Sequence, residues 1–173
     1  MFKYIFYILF VINFSYGNIL TVHKKILPIS LLQVNNIIHK NEKNLNLAII
    51  VNKNEEVNAI YLKDLMPKNI KSFKLNINII YEKDIIQKLI HTNTKYDAIY
   101  CFDLSTNNYN KVINYSITNQ IITFAFNHIG LKNGALLYIE FTTKIKIYLN
   151  KKTMKKAKIS FNNRFLRMVN IYE

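Results

Sequence analysis

Short apolar runs alternate with segments of helical period along most of this chain, and this alternation limits the folds that it can adopt. The strand-like runs cover residues 45–52, 74–80, 96–102 and 120–126. The helix-like segments cover residues 30–39, 55–66 and 82–91. A fourth begins at Ser105 or Thr106, either of which can cap it, and ends near Thr118. Apolar strands that alternate with helices are typical of parallel sheets with helices on both faces. We therefore predict an α/β fold, a single three-layer domain with a mostly parallel sheet of the Rossmann/flavodoxin-like kind.

The pattern changes after Gly130, where two strand-like runs follow each other with almost no connection. Residues 134–141 and 144–149 are separated only by two threonines. This spacing predicts a C-terminal antiparallel hairpin at the edge of the sheet. Asn150 is then expected to cap a short helix over residues 151–157.

The first residues have the pattern of a signal peptide. Lys3 gives a positively charged start, residues 5–14 are almost wholly apolar, and the small residues Ser15 and Gly17 precede a predicted cleavage site before Asn18. The apolar run of about ten residues is shorter than the ~20 that a membrane-spanning helix needs. An uncleaved N-terminal anchor and a buried strand remain open as alternatives.

Removal of residues 1–17 leaves residues 18–173 as a single domain. The signal-peptide pattern predicts a periplasmic protein that is secreted via a cleaved signal peptide. The lone Cys101 then has no second cysteine of its own chain to pair with. Because it lies in a predicted buried strand, we interpret Cys101 as a small buried hydrophobe rather than a nucleophile.

The chain is strongly basic, with 24 Lys and Arg against 10 Asp and Glu and a formal net charge of +14. Almost all of the basic residues are lysines, whereas phosphate and base recognition favours arginine. The chain is also rich in Ile, Asn, Lys, Tyr and Phe, the residues of A/T-rich codons. A genome with this bias supplies lysine at surface positions without selection for binding a polyanion. Nucleic acid is therefore not the expected partner. One dense tract could contact an anionic membrane surface, although a solvated basic face explains it as well; it comprises Lys151, Lys152, Lys155 and Lys156.

Motifs of the common enzyme classes are absent from the sequence. It contains no GxGxxG, GxxxxGK[ST], GxSxG or HExxH. Its four histidines and one cysteine lack the spacing of metal ligands. Glu55 and Glu56 are adjacent, so they diverge on a helix, and a helix N-terminus explains them. We therefore predict that the protein is not an enzyme and uses no metal and no cofactor.

Polar residues follow the predicted strands at the positions where open α/β sheets bind ligands. Such ligands lie at the carboxyl ends of the strands, near a topological switch point. Asn52, Asp103, Ser105 and His128 occupy these ends and form the candidate site for a small polar ligand. Ordinary turn and cap chemistry accounts for the same residue types.

Several short segments of the C-terminal half resemble YfiR-like periplasmic proteins. They are QIITF at 120–124, GALL at 134–137, KIKIYL at 144–149, the stretch 150–157, KISF at 158–161 and FLRMV at 165–169. The sequence departs from that family in having Gly134-Ala135 where a glycine pair is usual, and in having no Trp. The resemblance implies an exported α/β protein of regulatory or accessory function, since some members repress an inner-membrane diguanylate cyclase by capturing its periplasmic partner.

On this hypothesis the protein acts by binding an envelope or inner-membrane protein. The predicted hairpin edge is the expected contact surface, because an exposed edge strand is a template for pairing. The residues expected there are Leu136, Tyr138, Lys144 and Lys146. A homodimer is also compatible with this reading.

A second resemblance connects the chain with the substrate-binding proteins of ABC transporters. It rests on NKKTMKK at 150–156, GALL at 134–137 and DAIY at 97–100. Those proteins are longer and clamp a ligand between two lobes. The resemblance implies, as the alternative hypothesis, a one-lobed periplasmic module that binds a small ligand.

Overall fold

An eight-stranded sheet forms the centre of the protein in the computed structural model, which describes residues 19–173. The strands are β1 (Asn44–Val51), β2 (Asn69–Ile70), β3 (Phe73–Tyr81), β4 (Ala98–Cys101), β5 (Ile122–Ala125), β6 (Leu137–Phe141), β7 (Ile145–Asn150) and β8 (Asn170–Tyr172). Their order across the sheet is β2-β3-β1-β4-β5-β6-β7-β8. All pairs from β3 to β6 are parallel, which confirms the predicted mostly parallel sheet. The predicted signal peptide, residues 1–17, lies outside the described residues.

Helical segments connect most of these strands. They are α1 (residues 19–31), α2 (Asn35–Ile38), α3 (Glu56–Leu65), α4 (Thr106–Asn119), α5 (His128–Lys132), α6 (Lys151–Lys156) and α7 (Asn163–Leu166), with 3-10 turns at Lys53–Glu55 and Glu82–Asp84 and a π-helical turn at Ile86–Ile90. Within residues 19–173, no helix has both the length and the apolar character needed to cross a membrane.

The helices cover both faces of the sheet, which confirms the three-layer prediction. Successive side chains of a strand point to opposite faces, so β1 contributes to both layers of core. Leu47 of β1 shares a buried cluster with Leu27 of α1 and Leu62 of α3. Ile50 of β1 shares a second cluster with Tyr109 of α4. The central strand is therefore buried on both sides.

The helix predicted over residues 30–39 is wrong in its bounds. Helix α1 ends near its start, and α2 is a separate short turn. Between them the backbone of Val34 forms a bridge with Phe161, and the N–H of Asn35 donates to the carbonyl of Ser160 at 3.0 Å. A tertiary contact with the C-terminal segment thus diverts this stretch from a continuous helix.

The antiparallel hairpin is confirmed near one edge of the sheet, where the short strand β8 covers only residues 148–150 of its outer strand. Strand β7 is antiparallel to β6, and β8 pairs with the other side of β7 in parallel. Leu136 immediately precedes β6 and is fully buried, because its side chain packs in the larger apolar cluster with Leu137 and Leu149. The prediction of Leu136 as a surface residue for a partner is therefore wrong.

A buried histidine connects α1 to the sheet. His23 has no exposed surface, and its Nε2 lies 3.0 Å from the carbonyl oxygen of Ile139 in β6. Because a carbonyl can only accept, Nε2 carries the proton, and Nδ1 accepts from the Tyr100 hydroxyl of β4 at 2.5 Å. Burial lowers the pKa of His23 to about 4, although the Ile139 bond opposes this shift. The imidazole is therefore neutral in the folded protein.

The low pKa of His23 predicts a loss of stability on acidification. Unfolding restores an ordinary pKa near 6.5, so the unfolded chain takes up this proton first as the pH falls. The contribution is complete above about pH 6.5 and is lost progressively towards pH 4, by up to about 3 kcal/mol. Urea unfolding across this range should show a smaller pH slope in His23→Gln than in the wild type.

The matched control is His91→Gln, which removes an exposed histidine. It should leave the wild-type slope unchanged. Equal slopes for His23→Gln and the wild type would contradict the assignment of a neutral buried imidazole.

Candidate functional site

Two of the four predicted ligand residues meet at the carboxyl ends of the central strands. Asn52 follows β1 and Asp103 follows β4, on the two sides of the switch point. The side-chain amide of Asn52 donates to the carbonyl oxygen of Asp103 at 2.6 Å. The side-chain amide of Asn127, after β5, donates to Oδ1 of Asp103 at 3.0 Å. A hydrogen-bonded bridge therefore joins the ends of three neighbouring strands.

The amide groups in this bridge are used for structure. Oδ1 of Asn52 accepts from the N–H groups of Asn54 and Glu55, at 2.8 and 3.1 Å, and so caps the 3-10 turn. Oδ1 of Asn127 accepts from the N–H of Gly130 at 3.0 Å and caps α5. The crevice between β1 and β4, where the sequence predicted the ligand, is thus bridged by the protein itself.

Ser105 and His128 lie at the same edge in different surroundings. Ser105 is the N-cap residue of α4, but its side chain makes no cap bond. Its backbone N–H instead donates to Oε1 of Glu82 at 2.7 Å. The exposed ring of His128 packs against Tyr138 and Tyr172, with centroids 6.0 Å away in both cases. At this edge of the sheet, Ser105 therefore lies on the side of β3 and His128 on the side of β6 to β8.

A cavity of about 380 Å³ opens beside the bridge, at the carboxyl ends of β1 and β3. It is lined by Asn52, Lys53, Glu56, Tyr81, Glu82 and Lys83. Its volume lies within the range of small-molecule sites, about 300–1,000 Å³. We call this cavity the β1/β3 cavity.

Both acidic and basic groups line the β1/β3 cavity. The hydroxyl of Tyr81 donates to Oε1 of Glu56, and this hydrogen bond raises the pKa of Tyr81. Burial raises the pKa of Glu82, but hydrogen bonds from the Asn108 amide and the Ser105 N–H outweigh it, so the pKa lies below its usual value. Glu82 is therefore ionised at neutral pH. Lys53 and Lys83 supply exposed cations beside these carboxylates.

Sequence reasoning missed most of the β1/β3 cavity. It explained Glu56 by the helix N-terminus alone, and it placed Tyr81 and Glu82 at the carboxyl end of a strand without choosing them as ligand residues. The available signal was their position near the carboxyl ends of two strands: Tyr81 ends β3, Glu82 follows it, and Glu56 begins α3 after the 3-10 turn that follows β1. Only a three-dimensional arrangement shows that Glu56 and Tyr81 are hydrogen-bonded to each other.

A larger cleft of about 870 Å³ lies at the opposite, amino end of the sheet. Its main charged groups are paired with each other, since Nζ of Lys40 lies 2.8 Å from Oδ1 of Asp97. Asp97 also accepts from the backbone N–H of Asn46 at 2.8 Å. These internal partners make it a weaker candidate for a charged ligand.

Other candidate groups have clear positions. Cys101 is fully buried, and burial raises the pKa of its thiol, which confirms a buried hydrophobe and opposes a nucleophile. Tyr138 is half-buried and stacks on Tyr148, with centroids 5.9 Å apart. Lys144 and Lys146 are exposed, and Lys146 lies 3.6 Å from Glu140.

The basic tract of α6 is at the surface. Lys152, Lys155 and Lys156 are exposed, while Lys151 pairs with Glu173 at 2.6 Å. Contact with an anionic membrane stays a prediction. Within residues 19–173, no three His, Cys, Asp or Glu side chains are grouped so as to hold a metal ion.

Three solved structures share this fold. A conserved domain protein from Vibrio cholerae has a TM-score of 0.64 at 14% identity over 89% of this chain. A substrate-binding protein with adhesive properties from Clostridium difficile, in a ligand-free open state, has a TM-score of 0.61 at 15% identity over 86% of the chain. An ABC domain from Streptococcus pneumoniae in complex with L-Trp has a TM-score of 0.56 at 11% identity over 73%.

The chain spans only part of these neighbours, covering 60%, 58% and 56% of their respective lengths. No family model and no curated protein matches the sequence. These neighbours share the α/β fold of this chain, and one of them is a substrate-binding protein, the class to which the second resemblance pointed. Nothing in these comparisons supports the resemblance to YfiR-like proteins.

The bridge at the switch point predicts that Asn52 acts mainly in stability. Asn52→Ala removes the cap of the 3-10 turn and the link to Asp103, which should lower the free energy of unfolding by about 1–2 kcal/mol. Lys53→Ala, at the exposed neighbouring position, should change it by less than about 0.5 kcal/mol. Urea unfolding without ligand measures both, and equal stabilities would contradict the assigned role of Asn52.

Proposed function

We propose that this protein binds a small zwitterionic metabolite, of which a free amino acid is the simplest example, in the β1/β3 cavity. The observation that carries this proposal is the presence of two carboxylate side chains and two lysines around one cavity of suitable size. In this proposal the hydrogen bond between Asn52 and Asp103 stabilises one wall of the cavity. The protein binds its ligand without transforming it.

The charges of the cavity suggest how such a ligand is held. Glu56 and Glu82 accept hydrogen bonds and attract an ammonium group, while Lys53 and Lys83 attract a carboxylate. The hydroxyl of Tyr81 lies beside Glu56 and keeps that carboxylate in place. A ligand with both charges satisfies both sets, whereas an ion of one sign leaves the other set without a partner.

The structural neighbours support a binding role. One of them is a substrate-binding protein, and another is a domain in complex with L-Trp. Those ligands belong to the neighbours, and their low sequence identity shows a shared fold alone. Together with the charges of the β1/β3 cavity, the fold favours ligand binding over the regulatory hypothesis. Export by the predicted signal peptide completes the proposal and makes this a periplasmic binding module.

Capture of an envelope protein remains the rival hypothesis. Its expected surface now reduces to Tyr138, Lys144 and Lys146, since Leu136 is buried. Affinity capture from envelope extract with Lys144→Glu/Lys146→Glu as the control variant tests it separately. Loss of one specific partner in that variant would favour the regulatory hypothesis.

The proposed function predicts ligand-dependent stabilisation. Binding to the folded state alone raises the melting temperature. Free L-amino acids, screened one at a time against the full chain, should include at least one that raises it. The N-acetyl and methyl-ester derivatives of that amino acid should have little effect, because each lacks one of the two charges.

Charge variants test whether the β1/β3 cavity is the site. Lys53→Ala and Glu56→Gln should each weaken binding by roughly tenfold or more, since each removes a charge-assisted contact. The matched controls are Lys132→Ala and Asp64→Asn, which are exposed and lie outside the cavity lining. Calorimetric titration measures all four. Equal affinities for cavity and control variants, or no stabilising amino acid, would contradict the proposal.

A further inference from the structure

The outer edge of β3 has no strand partner over most of its length among residues 19–173. The short strand β2 pairs only with Phe73 and Lys74. The last contact on that side is the N–H of Leu75, which donates to the carbonyl of Lys68 at 2.9 Å. Beyond it, residues 76–81 have β1 on one side and, in the part of the chain that the structure describes, no strand on the other.

The backbone directions identify the groups that are left open. The N–H of Lys74 donates inwards, to the carbonyl of Lys43 beside β1, whereas the N–H of Leu75 donates outwards. Backbone groups of successive residues point to alternate sides of a strand. The N–H and C=O groups of Ile77 and Ile79 therefore point to the open edge.

A groove of about 610 Å³ follows this open edge. Ile60 and Lys63 of α3 form one wall, Gln87 and Lys88 of the π-helical turn form the other, and residues 77–81 form the floor. A backbone edge between two walls is the arrangement that accepts an additional extended strand. We call this feature the β3 groove.

Large apolar side chains are exposed on the two helical elements that form the walls of the β3 groove. On α3, Val57 is 77% exposed, Ile60 45% and Tyr61 44%. Ile86 on the π-helical turn is 47% exposed. Exposed apolar groups of this size beside an open strand edge indicate a protein interface.

The charge of the β3 groove indicates what kind of protein fits. The chain as a whole carries +14, so two copies repel each other over most of their surface. The charged residues that line the groove are Lys63 and Lys88, and Lys88 is paired with Asp84 at 2.9 Å. The elements that carry the groove are balanced when they are taken as a whole. The four acidic residues of α3, β3 and residues 82–90 are Glu56, Asp64, Glu82 and Asp84, and the four basic residues are Lys63, Lys74, Lys83 and Lys88. A second copy can approach through this face without the general repulsion.

The sequence of β3 is also suited to pairing with itself. In an antiparallel pair related by a twofold axis at Asn78, Ile77 of each copy faces Ile79 of the other. These are the residues whose backbone groups point outwards, so they form the hydrogen-bonded pairs of an antiparallel ladder. The outward N–H and C=O groups of Ile77 and Ile79 then all find partners.

We propose that two copies of this chain pair through their β3 strands, antiparallel and with twofold symmetry, so that their sheets become continuous. The exposed side chain of Ile60, which lines the groove, lies at the contact. This interface requires no ligand, so mass measurements without ligand test it independently of the proposed function. Failure of one proposal leaves the other standing.

The test is the mass of the full chain in solution, by sedimentation at several protein concentrations. We expect a species of twice 20.5 kDa that dissociates on dilution. Ile60→Lys should raise the dissociation constant roughly tenfold or more by placing a charge in the apolar contact. Ile79→Pro should do the same by removing an outward N–H that the isolated fold does not use.

Ile171→Lys is the matched control, because Ile171 is 49% exposed on β8 at the other end of the sheet. It should remain dimeric, and circular dichroism should show that Ile60→Lys and the control are both folded. A wild-type chain that is monomeric at every concentration would overturn the proposal. So would a dimer that survives Ile60→Lys and Ile79→Pro, or one that only Ile171→Lys dissociates.

Discussion

The parallel pairing of β1 with β3 on one side and β4 on the other is the interaction on which the remainder of the structure depends. All eight residues of β1 pair with β3, and residues 47–50 pair with β4 as well. Residues 47–51 are fully buried, so apolar burial on both faces reinforces the backbone ladder. This arrangement aligns the carboxyl ends of three strands. It brings Asn52, Tyr81 and Asp103 to one edge of the sheet although they are far apart in the sequence.

The use of polar groups at that edge determines where a ligand can bind. Polar groups that are already hydrogen-bonded within the protein must lose those bonds before they can serve a ligand. Asn52 caps a turn and bridges to Asp103, so the switch point itself is occupied by protein contacts. In the neighbouring cavity between β1 and β3, the internal hydrogen bonds of Glu56 and Glu82 go to Oε1, so each carboxylate keeps a second oxygen for a ligand, and two lysines line the same cavity. The candidate site therefore lies between β1 and β3, next to the switch point between β1 and β4.

The regular part of the fold could be predicted from sequence because long apolar runs leave few alternatives to buried strands. Features that depend on tertiary contacts could not be predicted in this way. The bridge between Val34 and Phe161 interrupts a segment with helical periodicity, and β8 is a three-residue strand without an apolar run of its own. The cavity was missed for a similar reason. Glu56 has a sufficient local explanation at a helix start, and only the fold shows its hydrogen bond to Tyr81.

The most direct test of the account is a heteronuclear NMR titration of the full chain with the amino acid that stabilises it most. Binding in the β1/β3 cavity predicts that the largest shifts of backbone amide signals occur at residues 52–56 and 81–83. The amides around Lys40 and Asp97, in the larger cleft at the other end of the sheet, should change little. Shifts centred on Lys40 and Asp97, or on the hairpin around Lys144 and Lys146, would contradict the central claim.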